Sequence, residues 1–368
     1  MRGITILTNG PGELWGWVRP LSAELGRRGH SVTVRLLPCP YATGEEGRMA
    51  ATLGVSRVIG PLSSGRTAVS VLSRDRETGL VFQLGGDLLW GRMLAAANAV
   101  PLLCYSYGRK RGLHRCNGVF TAFPSMAVGM EGAVPVGDLV ADSLKMSVQT
   151  SLSVIPEERK GPRVVFFPGS RESIRRFARP FLRKMVLLLR KEYPDLVGNV
   201  LLSPFAPAEE DENWRSEGFL PVRGSPADVL RGADFAVTQP GTNTLELMHL
   251  AVPFLAVVPF SALRKAPLSG LAGMLARTPI LGPALRERVL RGKGLRAGFL
   301  SWPNRIAGRP VVDELFGDVS PEDAARTVAG RLGDRKYLEG TRAALAALSS
   351  SVPGGAACAL ADAAERMM

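Results

Sequence analysis

Gly232-Ala233-Asp234-Phe235-Ala236-Val237-Thr238-Gln239-Pro240-Gly241-Thr242-Asn243-Thr244-Leu245-Glu246-Leu247 decides the fold. The apolar run at residues 235–237 reads as a short buried strand. It breaks at Gln239-Pro240-Gly241, a turn signal. Thr242, Asn243 and Thr244 then offer N-cap side chains ahead of Leu245-Glu246-Leu247-Met248, which reads as helix. Residues 252–259 read as another buried strand, so the order is that of a βαβ unit. A strand, a Gly turn and a capped helix start aim free N–H groups and the positive dipole end at one spot, where an anion fits. The same pattern also serves as an ordinary α/β turn with no ligand. Glu246, about one turn into the helix, is suitably spaced to accept hydrogen bonds from sugar hydroxyls.

A second stretch repeats the pattern. Arg163-Val164-Val165-Phe166-Phe167 reads as a strand, Pro168-Gly169-Ser170-Arg171 as a turn, and Glu172 opens a basic helix. Both helix starts would lie at the carboxyl edge of one parallel sheet, where open α/β sheets bind ligands. Arg171 has the chemistry to pair a phosphate. Further strands are expected at residues 199–202 and 254–258, and helices at 321–332, 339–348 and 356–368.

The first half begins with a strand at residues 4–7, followed by Asn9-Gly10-Pro11-Gly12-Glu13-Leu14-Trp15-Gly16-Trp17 and a helix. This is not G-x-G-x-x-G, so a dinucleotide site has little support. Trp15 and Trp17 offer a flat apolar or sugar-stacking surface, or else pack into the core. Residues 31–37, 80–84 and 102–105 read as strands. Asp87, in Gly85-Gly86-Asp87, follows a strand end, where it serves as a helix N-cap or as a catalytic carboxylate. Arg109-Lys110-Arg111, with His114 and Arg115, is a solvated basic face or a phosphate contact.

Composition narrows the class. The chain has 368 residues, enough for two domains, and 46% hydrophobic residues, enough for a sizeable core. Forty-six Lys+Arg against 33 Asp+Glu give a net charge of +13, which favours an acidic partner. Four scattered cysteines without C-x-x-C, and three separated histidines, suit a reduced cytosolic protein with no structural zinc. No signal peptide is expected, and the longest apolar stretch, at residues 247–263, is interrupted by His249, Pro253 and Pro259. Residues 262–298 carry eight Lys/Arg and one acid beside an apolar helical stripe. Such a segment suits an anionic membrane surface, or a helical hairpin packed on the second domain. A nucleic-acid binder would also be basic. Against it, aromatics are only 7% and there is no helix-turn-helix, zinc finger or RNP-like run.

Three segments in order, Phe167-Pro168-Gly169-Ser170-Arg171, Gln239-Pro240-Gly241-Thr242-Asn243-Thr244-Leu245-Glu246, and residues 301–315 with Ser301-Trp302-Pro303-Asn304 and Val312-Asp313-Glu314-Leu315, resemble the lipid A disaccharide synthase family. That family has a PGSR turn, an SGTATLE-like turn and an S-L-P-N…AG-R…V-x-EL segment. The resemblance implies an α/β fold of the GT-B type: two Rossmann-like domains facing a cleft, with the last helix crossing back. The implied boundaries are 1–145 with 356–368 for the acceptor domain, 146–162 for the linker and 163–348 for the UDP-sugar domain.

The implied activity is inverting transfer of an acylated glucosamine-type sugar from UDP to a lipid-linked or phosphorylated sugar. A UDP-sugar is the substrate, and neither cofactor nor metal is implied. Gly169, Ser170, Arg171, Gly241, Thr242, Asn243, Glu246 and Asn304 would bind the donor. Asp87 would be the base, with Glu13 as substitute, and Gly12, Trp15, Trp17 and Arg109 would meet the acceptor. The family's G-E-x-S-G-D is departed from at Trp15 and Trp17, and its V-G-H at Asp138. The expected location is cytoplasmic, either soluble or peripheral on the inner face of the membrane. A UDP-GlcNAc 2-epimerase keeps the fold but calls for more cleft carboxylates and histidines.

Overall fold

A computed structural model describes residues 3–39, 42, 44–147, 160–203, 206–259 and 298–368. The chain forms two compact units, residues 1–146 with 351–368, and residues 147–350. Residues 148–159 of the expected linker and 262–297 of the basic segment lie outside the described residues. No described helix is long and apolar enough to cross a membrane.

Among the described residues, the first unit is built on seven parallel strands: β1 (Gly3–Thr8), β2 (Val32–Leu36), β3 (Arg57–Ile59), β4 (Thr78–Gln83), β5 (Leu102–Tyr105), β6 (Gly118–Thr121) and β7 (Ala133–Pro135). Their spatial order is β3-β2-β1-β4-β5-β6-β7. The chain therefore runs outward from β1, returns to lay β4 beside it, and runs outward the other way. The reversal between β1 and β4 is a topological switch point, and it opens a crevice beyond the strands' carboxyl ends.

The second unit repeats this plan with β8 (Arg163–Phe166), β9 (Val197–Leu202), β10 (Leu220–Arg223), β11 (Phe235–Thr238), β12 (Phe254–Pro259) and β13 (Asp313–Gly317). All pairings are parallel, in the order β10-β9-β8-β11-β12-β13, so its switch point lies between β8 and β11. Every residue of β8 and β11 is buried, as expected of parallel strands covered on both faces. The long helix Glu172–Glu192 covers one face through Leu182, Met185, Val186 and Leu189, an i, i+3, i+4, i+7 stripe that packs against Val164, Phe166 and Phe235.

The last helix, Ala356–Glu365, returns to the first unit and packs on the helix Arg19–Arg27. Its buried face is mostly alanine, which lets the two helices approach closely. Asp142, in the helix Leu139–Ser147, caps it by accepting from Gly355 N at 3.1 Å and Ala357 N at 2.9 Å. Arg28 reaches Asp362 at 2.6 Å and Glu365 at 2.8 Å from the other side. The expected two parallel α/β domains with a returning last helix are what the chain forms.

Candidate functional site

In the first unit the loops after β1 and β4 flank the switch point. The β1 loop becomes helical earlier than expected. Leu14 N already donates to Gly10 O at 2.9 Å. The helix Pro11–Glu13 passes through a π-helical turn, Leu14–Val18, into Arg19–Arg27. Pro11 stands at the first helical position, where its fixed φ suits the start and its missing N–H costs nothing.

The Glu13 carboxylate folds back against Gly10, where any Cβ would collide with it. A Cβ at Gly85 would lie 3.3 Å from Glu13 Cγ, so the two loops touch. Burial raises the Glu13 pKa above the usual carboxylate value, opposed by a hydrogen bond to its own backbone and by the Lys110 charge. Lys110 Nζ donates to Gly86 O at 2.9 Å, one residue before Asp87. Asp87 is exposed, and its Oδ1 caps the helix Leu88–Asn98 by accepting from Leu89 N at 2.9 Å. Glu13 and Lys110 thus lie against the loop after β4, whose last residue before the helix is Asp87. Arg109, the basic residue expected there, is exposed, and its neighbour Lys110 makes the contact.

The two tryptophans part company. Trp15 is half-buried with the Arg19 guanidinium 4.4 Å above its ring, next to Gly12 and Glu13 in sequence. Trp17 is only 7% exposed, which corrects the expectation of an acceptor-stacking face there. Its Nε1 donates to Tyr107 Oη at 2.8 Å, and Tyr107 donates to Asp138. Edge-to-face contacts with Tyr105 and Tyr107, at 5.5 and 4.6 Å between ring centres, complete a core cluster. Two of the three departures from the family pattern, Trp17 and Asp138, are therefore joined through one tyrosine.

In the second unit the turns after β8 and β11 flank the switch point. Gly169 has φ +104°, and a Cβ there would lie 2.5 Å from Ile174 Cγ2 and 3.3 Å from Gln239 Oε1. Only glycine fits this turn, and the turn packs against the next one. Ser170 is exposed, and Arg171 is the N-cap residue of Glu172–Glu192. Buried Arg175, paired with Glu210 at 3.2 Å, donates to Ser170 O at 2.8 Å and pins the turn from the helix side. Nothing in the spacing of the sequence singled Arg175 out from the other basic residues of that helix.

In the turn after β11, Asn243 Nδ2 donates to Thr238 Oγ1 at 3.1 Å, and Thr242 is the N-cap residue of the helix Asn243–His249. Gly241 accepts from Thr244 Oγ1 at 2.8 Å. The Glu246 carboxylate has no hydrogen-bond or ion-pair partner among the described residues. Part of its surface is open, yet burial of the carboxyl pushes its pKa up to about 7. An acceptor unpaired among the described residues and partly open, just beyond the Gly241 turn, is a place for a ligand's donors.

Asn304 does not fit the donor role expected of it. It is 1% exposed. Its Nδ2 donates to Val312 O at 2.9 Å and Glu314 Oε1 at 2.8 Å, and its Oδ1 accepts from Val311 N at 2.7 Å and Val312 N at 3.0 Å. Both amide protons and both carbonyl lone pairs are used, so nothing remains for a nucleotide. Glu314 collects Leu300 N, Ser301 N and Ser301 Oγ as well. Residues 300–314 form a hydrogen-bonded clamp.

These paired parallel-sheet units define a GT-B fold. Staphylococcus aureus MnaA, solved with UDP, has a TM-score of 0.61 at 14% identity, over 100% of this chain and 96% of that one. Acinetobacter baumannii MurG has a TM-score of 0.57 at 13% identity, over 100% of both. A Listeria monocytogenes protein assigned as a UDP-N-acetylglucosamine 2-epimerase gives 0.58 at 13%, over 98% and 95%. At these identities the likeness is one of fold. No protein-family model matches the chain.

Among curated proteins the similarity is to lipid-A-disaccharide synthases. That of Gluconobacter oxydans (strain 621H) is 30% identical over 190 residues, 50% of this chain and 40% of the relative. That of Geobacter metallireducens is 28% identical over 227 residues, 60% and 52% respectively. The chain spans about half the length of the curated relatives it matches.

Proposed function

We propose that this chain is a UDP-sugar-dependent hexosyltransferase. It moves an acylated glucosamine-type sugar, with inversion, onto a lipid-linked or phosphorylated sugar acceptor. The observation that carries this reading is the pair of touching Gly turns at the second unit's switch point, with Arg171 on one and, just beyond the other, Glu246, which is unpaired among the described residues. The N-terminus of a 21-residue helix and Arg171 suit the diphosphate, and Glu246 suits the ribose hydroxyls.

In the reaction the acceptor hydroxyl attacks the anomeric carbon as a carboxylate takes its proton, and the bond to the UDP oxygen breaks. Charge developing on UDP is met by the helix N-terminus and Arg171. Burial of Glu13 supports it as the base in preference to Asp87, because a carboxylate with a raised pKa is the stronger base. Asp87 already spends one oxygen on its cap. Gly12, Trp15 and Arg109 remain the acceptor-side candidates. No cofactor is invoked beyond the UDP-sugar. An acylated acceptor would bring the protein to the cytoplasmic face of a membrane as a peripheral enzyme.

The test incubates the chain with a UDP-activated diacylglucosamine and an acylated glucosamine phosphate. Equal amounts of UDP and of a disaccharide phosphate are expected by mass spectrometry. The likeness to the Listeria protein supports a second reading, C2 epimerisation of UDP-N-acetylglucosamine. Interconversion of that sugar with no acceptor and no disaccharide would replace the first reading by the second.

A further inference from the structure

Thr244 is fully buried, two residues ahead of Glu246. Its hydroxyl is used in both directions, as a hydroxyl allows. Oγ1 donates to Gly241 O at 2.8 Å and accepts from Trp302 N at 3.2 Å. Trp302 opens the helix Trp302–Ala307, whose first N–H groups have no partner within the helix. Thr244 supplies one of those partners from outside.

The residues before Trp302 are themselves held. Glu314, in β13, accepts from Leu300 N and Ser301 N, both at 2.8 Å, and from Ser301 Oγ. A chain of hydrogen bonds thus runs from the edge strand β13, through residues 300–302 and the Thr244 hydroxyl, to the turn after β11. It bypasses β12, which lies between those strands in the sheet.

We infer that Thr244 is a positioning residue. Its hydroxyl couples the Glu314 clamp to the Gly241 turn and so fixes the segment that carries Glu246 for the donor nucleotide. This rests on the nucleotide reading of the second unit. It also accounts for the clamp: the segment most like the family motif acts on the site through Thr244, while its Asn304 side chain is spent on the clamp itself.

Thr244→Val keeps the shape and removes both bonds, while Thr244→Ser keeps the hydroxyl. The probe is UDP, titrated calorimetrically into the full chain. Thr244→Val is expected to weaken UDP binding by about 5- to 30-fold, the scale of one or two lost hydrogen bonds. Thr244→Ser is expected to stay within about threefold of wild type, and both variants are expected to unfold as one cooperative transition. Hydrogen exchange is measured in parallel, with faster exchange at Trp302 N and residues 241–246 expected in Thr244→Val alone.

Equal UDP affinity in Thr244→Val overturns the inference, as does an affinity loss that Thr244→Ser does not rescue. A loss matched by melting of the whole second unit assigns Thr244 to general stability and also overturns it. If the wild-type chain binds no UDP, the nucleotide reading fails. The exchange data then decide the coupling by themselves, with unchanged exchange in Thr244→Val refuting it.

Discussion

Glu246 is where environment changes an ordinary side chain most. Its folded pKa of about 7 stands above the 4.5 usual for a glutamate carboxyl, so folding favours its protonated form. That contribution is fully present below about pH 4.5 and is lost as pH rises through about 7. Glu246→Gln should therefore stabilise the second unit at pH 8, by up to about 3 kcal/mol, and have little effect at pH 4.5. Urea unfolding at the two pH values checks this; equal effects would contradict the burial argument. Binding should respond in the opposite sense. An ionised Glu246 accepts ribose hydroxyls better, so affinity for a UDP-sugar should rise between pH 6 and pH 8, and Glu246→Gln should flatten that rise.

The two first-unit carboxylates separate by their surroundings. Glu13→Gln should reduce transferase turnover by about 10²–10⁴, the usual span for general base catalysis, with UDP affinity nearly unchanged. Asp87→Asn should lose much less and keep its cap, since Asn is nearly as good an N-cap as Asp. If Asp87→Asn is the variant that loses turnover, the base is Asp87. Residue type and spacing brought Asp87, Arg171 and Glu246 to attention, because turns beside strand ends are readable; Glu13 came from the family resemblance alone. They could not show which polar groups were already satisfied. Asn304 stands in the most family-like segment yet has no free hydrogen-bonding capacity. Lys110 was hidden between two arginines of one basic run, and only the Gly86 carbonyl distinguishes it.

At the scale of elements, legibility followed burial. β1, β4, β5, β8, β11 and β12 are almost wholly buried and stood out as apolar runs. Among the described residues, the strands that escaped include all four sheet edges: β3, β7, β10 and β13. They are partly exposed, so no apolar run marks them, and pairing on one side alone stabilises them. β6 is interior but only four residues long, with every second residue half-buried. The returning last helix was readable as a helix, but its cap was not, because Asp142 lies over 200 positions earlier. Asp142→Ala should cost about 0.5–2 kcal/mol and speed amide exchange at the start of Ala356–Glu365. Unchanged exchange there would show that Arg28 and the alanine face hold the helix alone.

For the whole molecule, two sheets of one design put four loops at two switch points, and the candidate chemistry lies on those loops. The central claim is that the second unit holds a uridine diphosphate. Calorimetric titration of UDP into the wild-type chain and into Arg171→Ala tests it most directly. Saturable binding that weakens roughly 10- to 100-fold in a folded Arg171→Ala variant is the predicted result, the scale of one charged hydrogen bond. No saturable UDP binding by the wild-type chain, or equal affinity in the variant, would contradict it.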